Sequence, residues 1–169
     1  QAEAGTARAS EVALAVRKVM DSHWLAWAAG IIDGEGCIGF TKCNGHYALR
    51  LEVANTDPRM LDKLREMFGG SIKVKTWKPP ATNQRPAWRW YLSTAQAANV
   101  LVQVLPWLVT KHEQAELAIL SRQFVNRSGK PDPVSKARRI ELSHRITQLK
   151  HQSFGPAEQS NPPKAEKVN

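Results

Sequence analysis

The chain has 169 residues, with 24 Lys+Arg against 15 Asp+Glu and a formal charge of +9, and is long enough for one domain with a real core. Its 42% hydrophobic content and six Trp exclude a disordered basic tail, and its apolar stretches are too short and interrupted to span a membrane. The only two cysteines, Cys37 and Cys43, exclude a disulfide scaffold and a cysteine-rich zinc site; with no charged-then-apolar leader at the first residues, an intracellular protein with a polyanionic partner is expected.

The charge is unevenly placed. Residues 1–36 hold three basic and five acidic residues, whereas residues 37–93 and 121–169 each hold ten basic and four acidic. Lys73, Lys75, Lys78, Arg85 and Arg89 fall in a segment, 71–93, with no acidic residue. Such a run fits a solvated surface, but a single sign of charge more often marks a nucleic-acid or membrane surface.

Residues 1–20 form an N-terminal extension in which EVALAVRKVM (11–20) has the spacing of a short amphipathic helix. Asp21 and Ser22 can each cap the next helix, HWLAWAAGIID, which stops at Gly34. A strand follows from Cys37 to about Cys43, and Asn44-Gly45 is a hairpin turn. In the returning strand Tyr47, Leu49, Leu51 and Val53 face one way and His46, Ala48, Arg50 and Glu52 the other. Asp57 and Pro58 start a helix with an apolar stripe of Met60, Leu61, Leu64 and Phe68, and Gly69-Gly70 ends it. The second hairpin sets Ile72 and Val74 against Lys73 and Lys75, and Trp88, Trp90 and Leu92 against Arg89 and Tyr91. Helices are expected over 95–108, 111–125 and 134–150, and residues 151–169 read as a polar tail. An antiparallel sheet with helices on one face and a basic face exposed is an α+β architecture, and a basic two-stranded ribbon fits the DNA major groove.

The stretch with chemistry is WLAWAAGIIDGEG, residues 24–36. Ala26, Ala29, Gly30 and Asp33 share one helical face whose small residues let a second helix approach closely, a candidate dimer interface. Asp33 and Glu35 sit at the C-terminal end of that helix, where the dipole disfavours acidic side chains by about 0.3–1 kcal/mol each. Two carboxylates and carbonyls freed by Gly34 and Gly36 at a negative helix end suit a hard cation such as Mg²⁺. The same pattern also fits an ordinary glycine-terminated helix and a solvated turn.

AAGIIDGEG at 28–36 resembles the signature of the LAGLIDADG homing endonucleases, with Ala28 in place of the leading Leu. VANTDPRMLDKL (Val53–Leu64) is similar to that family's second strand and second helix, and LPWLVTKHEQAEL (Leu105–Leu117) to its Pro-aromatic-Leu-x-x-Lys-x-x-Gln-Ala segment. The resemblance covers roughly residues 22–150. It implies the αββαββα fold over residues 21–150, an antiparallel sheet saddle over double-stranded DNA, and metal-dependent site-specific cleavage. By the same resemblance Glu35 and the Gly34 carbonyl hold the divalent metal, Mg²⁺ or another such as Mn²⁺ or Ca²⁺. Asn55 positions water, Lys111 stabilises the transition state, and Asp33 serves the helix end and the interface. Two residue-level alternatives stay open: Asn55 as an Asx-turn residue before Asp57, and Lys111 as a solvated helix-start lysine.

Only one signature occurs, so the resemblance implies a homodimer, a near-palindromic target and short 3′ overhangs. DNA readout is expected from Thr41, Cys43, His46, Arg50, Glu52, Lys73, Lys75, Arg89 and Tyr91 on the outward hairpin faces. Trp77, Asn83, Gln84 and Arg85 either reach the DNA flank or belong to a mobile surface loop. A cleavage-inactive relative that binds DNA or RNA, such as an intron maturase or a transcriptional regulator, is the alternative; an unrelated basic α+β domain is a further one. Either nuclease or binder is expected in a DNA-containing compartment, a bacterial or phage-infected cytoplasm or an organelle.

Overall fold

The computed structural model describes residues 21–43, 46–75, 86–125 and 132–152. The expected helix at 11–20, the Asn44-Gly45 turn, the loop with Trp77, Asn83, Gln84 and Arg85, and the tail past residue 152 lie outside them, as do the side chains of Cys43, His46 and Lys75.

Among the described residues helix α1 covers 21–35, and Asp21 and Ser22, expected just before it, are already helical. Strand β1 (Gly36–Cys43) begins without a linker. That junction requires glycine: a Cβ on Gly36 would lie 2.4 Å from the Ile32 carbonyl oxygen and 2.8 Å from its Cα. β2 is His46–Asn55, and α2 is Pro58–Phe68. The Asp57 carboxylate accepts from the Arg59 amide at 3.0 Å, and Pro58 occupies the first turn, where no N–H is missed. Gly69 and Gly70 end the helix with φ of 73° and 88°, and a Cβ on Gly70 would sit 2.5 Å from Leu92 Cδ2. Strands β3 (Ser71–Lys75) and β4 (Ala87–Ser93) follow.

Helix α3 (Thr94–Val104) is shorter than expected and gives way to a 3₁₀ turn, Leu105–Trp107. Pro106 is the reason: it has no N–H for the Val102 carbonyl, and its ring crowds that carbonyl. Helix α4 (His112–Leu120) also ends early, in a second 3₁₀ turn, Ser121–Phe124. Helix α5 (Pro133–Gln152) runs two residues past the expected end and is capped by Asp132, whose carboxylate accepts from the Ser135 amide and hydroxyl at 3.0 Å each.

The four strands form one antiparallel sheet in the order β1-β2-β4-β3, so the alternation read from the sequence becomes two faces. Ile38, Leu49, Leu51, Val53, Trp90 and Leu92 line the inner face, against Ala28 and Ile32 of α1, Leu61 and Leu64 of α2, Leu101 of α3 and Ile146 of α5. Fully burying each Leu or Ile contributes about 1.5–3 kcal/mol. Trp90 is completely buried, and its indole N–H donates to the Gly69 carbonyl at 2.8 Å, tying β4 to the end of α2. Val74, expected inside, is 55% exposed because β3 is an edge strand. Helices on one face of an antiparallel sheet define an α+β fold.

Candidate active site and nucleic-acid interface

The C-terminal end of α1 is held by the loop before α4. Asp33 accepts from the amides of Val109 at 2.7 Å and Lys111 at 2.9 Å, and from the Thr110 hydroxyl at 3.0 Å. Burial pushes its carboxyl up, but these donors outweigh burial and hold it below the usual aspartate range. Asp33 thus holds residues 109–111 at the end of α1.

Lys111 returns the contact. Its ammonium donates to the Asp33 carbonyl, one of the carbonyls left unpaired at the end of α1. The lysine is half-buried rather than solvated, which removes the bland reading of a free helix-start side chain. Its position before α4 puts a cation at the positive end of that helix, an unfavourable place that α1's carbonyl offsets. Burial lowers its pKa, against the pull of Asp33, Cys37 and Glu35, with Lys150 adding to the depression.

Gly34 and Glu35 are exposed on the last turn of α1, and a Cβ on Gly34 would meet nothing within 4 Å. Together they offer a carboxylate and a helix-end carbonyl, hard oxygen donors of the type Mg²⁺ takes. Among the described residues no three His, Cys, Asp or Glu side chains cluster to hold a metal. Glu35 and Gly34 thus offer two oxygen donors suited to a divalent ion, short of a full coordination shell. A cavity of about 390 Å³ adjoins this end, lined by Asp33, Gly34, Cys37, Lys111, Gln114 and Lys150.

Asn55 lies at the same end of the sheet, two residues beyond the Gly36–Val53 pair. Its Oδ1 accepts from the Asp57 amide at 2.8 Å, the Asx turn that leads into α2, and Asn55 is not among the residues lining the Lys111 cavity.

On the outer face, Arg50, Lys73, Arg89 and Tyr91 converge around a depression of about 350 Å³. The hydrogen-bonded Lys73 ammonium, then Ser71, hold the Tyr91 phenol below its usual range. Thr41 is exposed near the other end of β1, and in the backbone register Cys43 pairs with His46 and Lys75 with Ala87. Glu52, expected on this face as a DNA contact, is engaged within the protein. Its side chain is 12% exposed and bridges Arg50, at 2.5 Å, and Arg89. β2 is interior to the sheet, so Glu52 is flanked by Arg50 on its own strand and by Arg89 across the β2–β4 ladder, and it pairs with both cations.

The candidate dimer face is also shifted. Ala29 is fully buried in the protomer's own core, because α1 packs on the sheet along Ala28, Ala29 and Ile32. Gly30 and Gly34, one helical turn apart, are open on α1, as is Trp24 at 39% exposed on a different side of the helix, with Ala26 half-buried and Asp33 turned to the loop. A Cβ on Gly30 also meets nothing within 4 Å. Trp24 and Trp27 stack edge to face at 5.7 Å, with the Lys63 ammonium 4.3 Å from the Trp24 ring centre.

The sequence reading passed over Gln114 and Lys150. Gln114 stands within the Lys-x-x-Gln-Ala segment, where its spacing from Lys111 was a usable signal. Lys150 lies 113 residues from its contact Cys37 and carried none.

The fold is that of the LAGLIDADG homing endonucleases. The structure matches the homing endonuclease I-CvuI, solved with its DNA target in the presence of Ca, with a TM-score of 0.65 and 20% identity over 78% of this chain and 84% of that one. It matches the archaeal intron-encoded homing endonuclease I-Vdi141I, solved with DNA, at a TM-score of 0.62 and 13% identity over 76% and 85%. In sequence, 101 residues are 27% identical to the probable intron-encoded endonuclease aI2 of Debaryomyces hansenii, and 50 residues are 38% identical to the intron-encoded RNA maturase bI4 of Saccharomyces cerevisiae. These alignments span 60% and 30% of this chain but only 15% and 8% of those longer proteins. No protein-family model matches the chain. Among the described residues no helix is long and apolar enough to cross a membrane.

Proposed function

We propose that this protein is a site-specific double-strand DNA endonuclease that hydrolyses phosphodiesters with a divalent metal. It acts as a homodimer on a long, near-palindromic target and leaves short 3′ overhangs, in a compartment that holds DNA. The observation that carries this reading is the α1 terminus, where Glu35 and the Gly34 carbonyl stand exposed beside Lys111, whose ammonium is held on the same helix end by Asp33.

The Glu35 carboxylate and the Gly34 carbonyl would hold the metal, whose Lewis acidity would supply activation of water and stabilisation of the leaving alkoxide. The Lys111 ammonium faces the phosphate and offsets the negative charge that builds as water oxygen bonds to phosphorus and the phosphorus–sugar oxygen bond breaks. The Asn55 amide nitrogen, its oxygen being committed to the Asp57 amide, orients water at the same end of the sheet. Arg50, Arg89, Lys73 and Tyr91 contact bases and phosphates along the outer face. One Glu35 per chain serves one strand, so cutting a duplex calls for two copies, with the open Gly30–Gly34 face as the contact between their α1 helices.

Selection of cleaved sites from a randomised duplex library tests target symmetry and overhang together. On a selected site with Mg²⁺, Glu35→Gln abolishes cleavage and retains binding; a Glu35→Gln protein that cuts normally overturns the assignment. Sedimentation of the DNA-free protein as a monomer at micromolar concentration overturns the stable homodimer. The partial match to an RNA maturase favours a second reading, a cleavage-inactive nucleic-acid binder. Salt-dependent binding to structured RNA, with no duplex cleavage under any divalent metal, supports that reading instead.

A further inference from the structure

We propose that Lys150, carried by the last turn of α5, is a second phosphate-binding group of the Lys111 cavity, which seats a DNA backbone phosphate between two ammonium groups. This rests on the DNA-binding reading above and extends it to a residue outside every motif that supports that reading.

The position of Lys150 is built rather than incidental. Ile146, one helical turn earlier on the same face, is 1% exposed and part of the core. Arg145 pairs with Glu113 at 3.2 Å, fastening α5 to the first turn of α4, two residues after Lys111. With α5 anchored at both points, the Lys150 ammonium lies across edge strand β1, 3.2 Å from Cys37 Sγ. Gly39 leaves the room: a Cβ there would come 3.1 Å from the Lys150 nitrogen.

The cavity holds two lysines and one lining carboxylate, Asp33, and among the described residues neither ammonium is ion-paired within it. Among the described residues Lys150 makes no ion pair, and the thiol it touches is a weak acceptor. The Lys111 ammonium rests on a neutral carbonyl, and the Asp33 carboxylate is taken up by two amides and a hydroxyl. Two ammonium groups and one hydrogen-bonded carboxylate share about 390 Å³ of cavity, a positive excess that an entering anion relieves. A second, independent observation points the same way. Gln114 lines this cavity, is only 4% exposed, and its Oε1 has no hydrogen-bond partner among the described residues. Buried amide oxygens are normally satisfied, so this one calls for a donor brought in with the ligand, such as the water shell of a phosphate. Two ammonium groups without an aromatic wall select an oxyanion over a base. On a nucleic-acid-binding protein, with Glu35 on the adjoining helix turn, the backbone phosphate is the available oxyanion.

The test measures binding in EDTA, so that no cleavage intervenes. Duplex affinity is followed by fluorescence anisotropy between about 50 and 200 mM NaCl for wild type, Lys150→Gln and Lys150→Arg of the full chain. Lys150→Gln should lower the slope of log affinity against log salt by about 0.9 per protomer, and Lys150→Arg should restore it. Melting temperatures should agree across the three, since a purely structural lysine would shift the melt and leave the slope alone. An unchanged slope in Lys150→Gln, with wild type binding duplex normally, overturns the proposal and leaves the endonuclease reading standing. Absence of duplex binding by wild type overturns both. Stabilisation of wild type but not Lys150→Gln by inorganic phosphate, with identical DNA slopes, refutes the backbone assignment in favour of a free anion site.

Discussion

Replacing Asp33 by Asn tests whether the loop before α4 is held by the end of α1, the contact that places Lys111. The carboxylate takes three donors, the Val109 and Lys111 amides and the Thr110 hydroxyl. Asparagine keeps one acceptor oxygen, which can serve Lys111 and Thr110, but it turns an NH₂ toward the Val109 amide. Hydrogen bonds to charged groups contribute about 1.5–3 kcal/mol when removed, and this site is partly exposed, so Asp33→Asn should cost about 1–2 kcal/mol and Asp33→Ala about 2–4. For a folded unit of this size that is a drop in melting temperature of roughly 3–10 °C for Asn, and more for Ala, by circular dichroism. Cleavage of a selected site should fall by about 100-fold in either variant, because an ammonium displaced by 1 Å loses its alignment with the phosphate. A melt within about 1 °C of wild type together with unchanged cleavage would refute the stapling role.

Gly36→Ala should destabilise the protein by about 1–3 kcal/mol or more in urea unfolding, since the new methyl meets Ile32 backbone that cannot move aside. Glu52→Gln should free Arg50 and Arg89, raise affinity for random-sequence duplex, and narrow the preference for the selected site in competition anisotropy. The helix caps set an acid limit. The Arg59 guanidinium and amide hold the Asp57 carboxyl at about 2 against an ordinary 3.8, and the Ser135 amide and hydroxyl lower Asp132 in the same direction. A depressed carboxyl contributes stability above its unfolded pKa and loses that contribution as pH falls through the folded value, so the loss falls between about pH 4 and pH 2. The double variant Asp57→Asn, Asp132→Asn should show a flatter melting temperature across that window; an unchanged pH dependence would count against both caps.

Much of the fold was legible because its signals are local. The Asp57-Pro58 start of α2, the Gly69-Gly70 stop and the alternation of Leu49, Leu51 and Val53 depend on neighbours a few residues away. Pro106 likewise carried the signal for the early end of α3. Asp33, Gly34, Glu35 and Lys111 were recognisable as a set through resemblance, and the structure brings Asp33 and Lys111 into direct contact. The ion pairs of Glu52 and the burial of Ala29 were not legible, for one shared reason. Alternation and helical periodicity say that a residue lies on a face, but what covers that face is decided by elements distant in the chain.

The chain's own residues thus determined the order of helices and hairpins, the basic outer face, and a helix ending in Gly-Glu-Gly, since each follows from backbone preference and short-range pattern. Tertiary packing decided the rest. It turned Glu52 into the counter-ion of two arginines on adjoining strands, gave Val74 to an exposed edge, and buried Ala29 while leaving Trp24, Gly30 and Gly34 open. It also carried Lys150 across 113 residues to the cavity beside Lys111. Charge acts through space, so the partners of a charged side chain are fixed only when the core has set the distances between elements.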